Sequence, residues 1–160
     1  MQNMQRIDLK SPTGTLLIPR HAIDAVGVAE RAESFTKRSI KKQSKLNALY
    51  TAISMIDLTT LEGIDTPEKV RHLCQKALFP APPVFLAALQ KHPDFKPIPR
   101  VAAVCVYPTL VEHAVKYLKG SGIQVASVAT GFPSGNIPLR MKIEETRFAV
   151  ECGASEIAMV

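Results

Sequence analysis

The chain has 160 residues, a hydrophobic fraction of 46% and a charged fraction of 21%. This length suits one ordinary domain with a real core, and the composition is that of a globular rather than a disordered protein. The sequence contains no apolar run of about 18 residues, and residues 1–20 lack the pattern of a secretory signal. We therefore expect a cytoplasmic protein with no membrane span.

The net charge of +6 is distributed unevenly along the chain. Residues 1–50 carry nine Lys or Arg against four Asp or Glu, whereas residues 51–160 carry eleven against ten. A solvated helix face explains the basic segment more readily than nucleic-acid binding does, because basic runs alone are unspecific. We therefore expect no nucleic-acid partner.

The three cysteines, Cys74, Cys105 and Cys152, are far apart in the sequence. They lack the CxxC spacing and the nearby histidine pair that are typical of metal sites, and their odd number argues against a disulfide framework. The sequence therefore predicts small buried hydrophobic residues and no bound metal.

The N-terminal part of the chain predicts an extension of the main domain. Residues 1–20 show no periodicity, and Ser11–Gly14 is a turn signal, so we expect a poorly fixed arm. From His21 to about Thr51 the apolar spacing is helical but interrupted, which predicts one or two helices packed as a cap or extension. We place the extension at residues 1–51 and the main domain at 52–160.

The first strand–helix unit follows this extension. Ile53–Leu58 is a short apolar segment that predicts a strand ending in polar residues. Asp65–Glu68 has the N-cap residue, the early proline and the acidic residue of a helix start. The predicted buried stripe of this helix is Val70, Leu73, Cys74, Ala77 and Leu78. A proline-rich connection over residues 79–100, with a short helix near Val84–Lys91, leads to the next unit.

Two further units and the start of another strand complete the chain. Val101–Pro108 is continuously apolar, which predicts a strand covered on both faces, and an amphipathic helix then ends at Gly120. The third unit has a strand at Ile123–Thr130 and a helix from about Leu139 to Cys152, and a fourth strand begins at Glu156. Consecutive parallel strands with outer helices predict an α/β fold, the first half of a (β/α)₈ TIM barrel. We expect a fragment of that barrel.

Polar residues at the carboxyl ends of the predicted strands are the candidates for an active site, because parallel α/β folds build their sites there. Asp57 and Thr59 follow the first strand, Cys105 lies on the second, and Thr130 precedes the loop GFPSG. Residue types alone leave open whether Asp57 caps a turn or serves a polar pocket. Cys105 has no neighbouring base in sequence, so we expect a core thiol or a pocket wall. The glycines of GFPSG suit a tight turn as well as a phosphate cradle.

Four motifs spanning residues 53–160 resemble, in order, the first half of deoxyribose-phosphate aldolase: IDLTTLEGIDTPEKVRHLC, VAAVCVYP, VASVATGFPSG and ETRFAVECGASEIAMV. The resemblance implies a TIM-barrel class I aldolase that uses a lysine Schiff base. Such an enzyme reversibly cleaves 2-deoxyribose 5-phosphate to acetaldehyde and glyceraldehyde 3-phosphate in deoxyribonucleotide catabolism. It implies a small phosphorylated sugar as substrate and neither a metal nor a cofactor.

The resemblance also assigns roles to individual residues. Asp57 corresponds to the pocket carboxylate, Thr59 lies in the same motif, and Cys105 corresponds to a cysteine that lines the pocket. With Thr130, a candidate from its place at a strand end, Thr59 and Cys105 are the expected substrate-pocket residues. Ala158 occupies the position of the family's proton-relay aspartate, and alanine cannot transfer a proton. The family's Schiff-base lysine belongs to later strands, so this chain contains none, and we expect it to be inactive alone.

A second hypothesis is a non-catalytic half-barrel that acts as an interaction module. Ala158 in the proton-relay position is the residue that favours it. The sequence leaves the oligomeric state open, a homo-oligomer included.

Overall fold

The structure is a computed structural model that describes residues 4–8, 15–19, 22–93 and 95–160. The chain divides into two compact units, residues 1–41 and residues 42–160. This division differs from the expected boundary near residue 51, because it places the whole of the second helix in the larger unit. Among the described residues, no helix is long and apolar enough to cross a membrane.

The smaller unit begins with two antiparallel strands, β1 (Met4–Asp8) and β2 (Thr15–Pro19). They pair along their full length, from Met4 opposite Pro19 to Asp8 opposite Thr15. The sequence pattern, which shows no periodicity here, did not predict these two strands. Each strand has only five residues, which is too few to show a clear alternation of apolar and polar residues. Each is held by backbone hydrogen bonds to the other strand, and these do not depend on the side-chain pattern. The turn predicted at Ser11–Gly14 lies outside the described residues.

Two helices confirm the prediction for the segment after His21. They are α1 (Ala25–Thr36), which Asp24 caps through a 3.0 Å hydrogen bond from a backbone N–H, and α2 (Lys42–Ser54). Helix α2 includes Ile53, which was expected to begin a strand. Ile53 lies about two helical turns beyond Leu46 and lines the same apolar groove, so its place on the apolar face of α2 explains why it is helical.

The larger unit continues with alternating strands and helices. These elements are β3 (Asp57–Thr59), α3 (Pro67–Leu78), α4 (Pro83–Leu89), β4 (Ala103–Val106), α5 (Val111–Leu118), β5 (Gln124–Ala129), α6 (Leu139–Glu151) and β6 (Glu156–Met159). The four strands form one parallel sheet in the order β3-β4-β5-β6. The predicted strand–helix order is confirmed, and the architecture is that of consecutive units of a parallel barrel.

Side chains alternate between two faces of this sheet. One face packs against helices α3 and α5, and we call it the covered face; its strand residues are Leu58, Val104, Val106 and Val125. The predicted stripe of α3 lies here, with Val70, Cys74 and Ala77 fully buried. The opposite side is the open face, which consists of Asp57, Thr59, Ala103, Cys105, Gln124, Ala126, Val128, Glu156 and Ala158.

Helix α6 is present where the spacing predicted it, but the apolar residues at that spacing are not its buried side. Leu139, Ile143 and Val150 are 71%, 49% and 53% exposed, whereas Ala149 is fully buried. A helical period identifies residues that share a face, and the neighbouring elements decide whether that face is covered. Here the fully buried residue of the helix is a small one, Ala149.

Candidate active site

Asp57 begins strand β3 instead of ending it. Its register partner is Ala103, the first residue of β4, and Thr59 is the last residue of the strand. The expectation that Asp57 follows a strand is therefore wrong. The segment expected to be the first part of that strand belongs to the end of α2, which extends to Ser54, and β3 is only Asp57–Thr59. The Asp57 side chain is exposed on the open face, at the same level as Ala103.

The turn after β3 is fixed by a different carboxylate, that of Asp65. Its side chain is 1% exposed, and it accepts hydrogen bonds from the Thr60 hydroxyl at 3.1 Å and the Glu62 backbone N–H at 3.0 Å. Lys69 forms an ion pair with it. Burial acts to raise the pKa of Asp65, but these partners outweigh it and hold the pKa below its ordinary value. Asp65 thus fills the turn-capping role that residue types alone had left open for Asp57.

The cap of helix α3 is also one residue later than the sequence signal suggested. Thr66 is the N-cap, and its hydroxyl accepts a hydrogen bond from the Lys69 backbone N–H at 3.2 Å. Pro67 then occupies the first helical position, where a missing N–H costs nothing. Asp65 is therefore not the cap of helix α3, and its carboxylate accepts the hydrogen bond from Thr60 in the preceding turn.

The Cys105 thiol is a buried part of the open face, with 6% of the residue exposed. Burial raises its pKa, and the negative charge of Asp57 raises it further, with a smaller contribution from Glu156. Hydrogen bonds with the Thr59 side chain and the Val128 backbone act in the opposite direction without reversing the shift. A thiol in this state stays protonated at neutral pH, so Cys105 suits a pocket wall and not a nucleophile.

Strand register places a second carboxylate at the level of this thiol, two strands away. The side chains at one level of the open face are Thr59, Cys105, Ala126 and Glu156. Ala158 pairs with Val128, one level nearer the carboxyl ends of the strands. Sequence reasoning missed Glu156 as a candidate, because only the pairing of β5 with β6 shows that it lies on the same face and at the same level as Cys105. The open face thus carries two carboxylates, those of Asp57 and Glu156.

Thr130 follows β5 in an unusual backbone conformation. Its φ of 68° lies in the left-handed region, where a β-branched residue is strained. The Thr130 hydroxyl accepts a hydrogen bond from the Val160 N–H at 2.8 Å and lies 2.6 Å and 2.8 Å from the carbonyl oxygens of Ala129 and Val160. These bonds tie the end of β5 to the residue after β6 and hold the strained conformation in place.

The glycine loop after Thr130 is a closed turn. The Gly131 N–H donates to the Glu145 carboxylate at 2.8 Å, and the Gly131 carbonyl accepts from the Gly135 N–H at 2.8 Å. A Cβ on Gly131 would lie 2.8 Å from the Ile137 side chain, so the close approach requires glycine. Because Glu145 already occupies the Gly131 donor, the structure favours the tight-turn interpretation over a phosphate cradle.

A lysine also reaches the carboxyl end of the sheet, although sequence reasoning did not single it out. Lys142 belongs to helix α6, and its ammonium group donates to the Val160 carbonyl at 3.4 Å. The sequence showed that this residue lies on a helix, but the direction of its side chain depends on how α6 packs beside β6.

The parallel sheet, its outer helices and the polar open face together define part of a (β/α)₈ barrel. No protein-family model matches the chain. Deoxyribose-phosphate aldolases of Mus musculus and Homo sapiens are 47% and 45% identical to it over 146 residues, which are 89% of this chain and 45% of each relative.

The solved structures that match the fold of this chain include two described as deoxyribose-phosphate aldolases. A Coccidioides immitis structure, assigned provisionally to deoxyribose-phosphate aldolase, matches with a TM-score of 0.53 and 29% identity over 69% of this chain and 36% of that chain. The tetrameric deoxyribose-phosphate aldolase of Aeropyrum pernix, at 24% identity, supports the fold with a TM-score of 0.51 over 69% of this chain and 38% of that chain. The chain belongs to the deoxyribose-phosphate aldolase family. It spans about half the length of the curated relatives that it matches.

Proposed function

We propose that this chain supplies the Asp57 side of an active site that reversibly cleaves 2-deoxyribose 5-phosphate to acetaldehyde and glyceraldehyde 3-phosphate. The observation that carries the proposal is the 47% identity to the mouse aldolase over 89% of this chain. The process would be deoxyribonucleotide catabolism in the cytoplasm, with a phosphorylated sugar as the partner.

The open face suits part of this chemistry. Cleavage through a Schiff base requires a lysine amine that condenses with the sugar carbonyl, together with groups that move protons to and from the substrate. In our proposal Asp57 is the carboxylate of the polar pocket, while Thr59, Cys105 and Thr130 form its wall. The protonated thiol of Cys105 is consistent with a wall, because it does not compete with the lysine as a nucleophile.

Two components of the reaction have to come from elsewhere. Ala158 has no proton to exchange at the position of the family's relay carboxylate. The Schiff-base lysine is proposed to lie on strands that this chain does not contain. We therefore expect the chain alone to show no turnover of 2-deoxyribose 5-phosphate, and borohydride treatment with substrate to label no single lysine. Turnover above the buffer background would contradict this assignment.

The positive test joins residues 1–160 to the C-terminal part of the mouse relative, with Ala158→Asp. We expect aldolase activity in this fusion, and Asp57→Asn in it should lower kcat/KM by at least about tenfold, or about 1.4 kcal/mol of transition-state stabilisation. Glu112→Gln on the outer helix α5 is the control and should leave the rate unchanged. An Asp57→Asn rate close to that of the fusion, or a loss that only follows unfolding, would remove Asp57 from the site.

A non-catalytic interaction module is the second candidate function. It is favoured by Ala158, which faces outward from the sheet without a proton-transferring group. The same fusion separates the two candidates. Activity that appears only with Ala158→Asp would favour the module for the chain as it stands, and activity with Ala158 retained would favour the enzyme.

A further inference from the structure

The turn that follows β5 is joined to helix α6 by the carboxylate of Glu145. This carboxylate accepts a hydrogen bond from the Gly131 N–H at 2.8 Å, across 14 residues of sequence. The N–H groups of Gly135 and Ile137 donate within the turn itself, at 2.8 Å to the carbonyl of Gly131 and at 3.0 Å to that of Gly135. Glu145 therefore connects the start of the turn to the middle of the helix that the turn leads into.

Gly131 is fixed on three sides. Its N–H is bonded to Glu145, its carbonyl is bonded to Gly135, and a Cβ on it would lie 2.8 Å from the Ile137 side chain. Its φ of 79° is a conformation that glycine adopts at little cost. Because all three contacts converge on one residue, a shift of Gly131 breaks at least one of them and moves the residues on either side of it.

The residue after Gly131 reaches the open face. The Phe132 ring is half-buried and packs against the apolar cluster of this face, which consists of Ala103, Cys105, Ala126 and Val128. It also makes an edge contact with Tyr107, the residue after β4, with 6.3 Å between the ring centroids and 67° between the ring planes. The position of the turn therefore sets the position of an aromatic ring beside Cys105.

The neighbouring carboxylate on the same helix has a different environment. The Glu144 side chain is 67% exposed and forms an ion pair with Arg147, one turn along α6, at 2.6 Å. Glu145 instead directs its charge to a backbone N–H, and a charged acceptor makes a stronger hydrogen bond than a neutral one. The two adjacent residues thus differ in what they hold, which makes Glu144 a matched control for Glu145.

We propose that Glu145 is a positioning residue, which acts through Gly131 to hold the Phe132 ring at the mouth of the substrate pocket. This rests on the proposed function, in which Cys105 and Thr130 line that pocket. A displacement of about 1 Å at a group that positions the reacting atoms lowers the rate by as much as about 100-fold. Contacts with other parts of the substrate are kept, so the loss of Glu145 acts more on kcat than on KM.

The first experiment measures the turn in the natural chain. In Glu145→Ala, hydrogen exchange at the Gly131 amide should accelerate by at least about tenfold, because its acceptor is lost. Alkylation of Cys105 by iodoacetamide should also accelerate, because the Phe132 ring packs against the cluster that contains this thiol. Mass spectrometry of the peptides separates Cys105 from the other two cysteines.

Two conservative variants separate the reach of the side chain from its charge. Glu145→Gln keeps the length and an acceptor oxygen, so exchange and alkylation should stay close to those of the natural chain. Glu145→Asp keeps the charge but is one methylene shorter, and it should behave like Glu145→Ala. The control Glu144→Ala removes an exposed carboxylate from the same helix and should change neither rate.

The second experiment uses the fusion with Ala158→Asp described above. Glu145→Ala should lower kcat by at least about tenfold and change KM by less than about threefold, and Glu145→Gln should restore most of the rate. The double variant Glu145→Ala with Phe132→Ala should be no slower than Phe132→Ala alone, because Glu145 acts through this ring. Glu144→Ala should leave kcat unchanged.

The proposal fails if Glu145→Ala leaves the exchange and alkylation rates of the natural chain unchanged, or if the effects of Glu145→Ala and Phe132→Ala on kcat multiply. A loss of rate in Glu144→Ala equal to that in Glu145→Ala would also overturn it. Circular dichroism verifies folding, and if Glu145→Ala does not fold, equal rates in Glu145→Gln and Glu145→Asp contradict the proposal. An inactive fusion that retains Glu145 contradicts the proposed function instead, and the natural chain then decides whether Glu145 holds the ring.

Discussion

The two faces of the parallel sheet are built from the same four strands but differ in chemistry. On the covered face, Val104 and Val106 are fully buried against helices that contribute further aliphatic side chains. On the open face, the buried strand residues are small, such as Ala103 and Cys105, and the exposed ones include two carboxylates. The covered face therefore supplies most of the apolar burial that stabilises the fold. The open face has less apolar burial and leaves two carboxylates exposed.

The sharpest test of this difference places a charge on each face. Val104→Asp should destabilise the larger unit by more than about 4 kcal/mol, because it buries an unpaired carboxylate in the covered face. Ala158→Asp makes the corresponding change on the open face, where the new carboxylate stays in water, and should cost less than about 1 kcal/mol. Chemical unfolding of both variants measures the two costs. Equal costs would show that the faces are not energetically distinct.

Asp65→Asn tests the buried carboxylate at the end of β3. The change replaces an ion-paired acceptor by an amide, and we expect a loss of about 1–3 kcal/mol at neutral pH. The folded-state pKa of Asp65 is lowered, so its contribution is present above the unfolded pKa, near 3.8, and is lost as pH falls through the folded value. The stability difference between the two proteins should therefore shrink below that pH. A difference that stays constant with pH would contradict the assigned ion pair.

Thr130→Val tests the hydroxyl that joins the ends of β5 and β6. The side-chain shape is retained while the hydrogen bonds to Val160 are lost, so the expected cost is about 1 kcal/mol. Hydrogen exchange at the Val160 amide should accelerate in the same variant. Thr130→Ser keeps the hydroxyl and should cost less than Thr130→Val; a larger cost for serine would assign the role of Thr130 to its methyl group.

Asp57→Asn should have the smallest effect on stability, within about 0.5 kcal/mol, because the side chain is exposed and the neighbouring turn is held by Asp65. Thermal unfolding of Asp57→Asn beside Asp65→Asn compares two aspartates of the same strand–helix connection. Similar losses in both variants would mean that Asp57 is structural and would weaken its place in the proposed pocket.

Much of the fold could be predicted from local patterns. The continuous apolar run of β4 predicted a doubly covered strand, and all four of its residues are buried. The stripe of α3 and the left-handed Gly120 after α5 also followed from spacing and residue type. These features depend on residues close together in the sequence, or on the hydrophobicity of single side chains, and both can be read from the sequence.

The sequence by itself thus determined the order of strands and helices, the residues of the covered core and the family, together with the burial of Cys105. Only the tertiary structure decided the short start of β3 at Asp57, the division of roles between Asp57 and Asp65, and the strained backbone of Thr130. It also decided that Glu156 lies level with Cys105. The physical reason is that register, side-chain direction and hydrogen-bond partners depend on residues far apart in sequence, which no local pattern encodes.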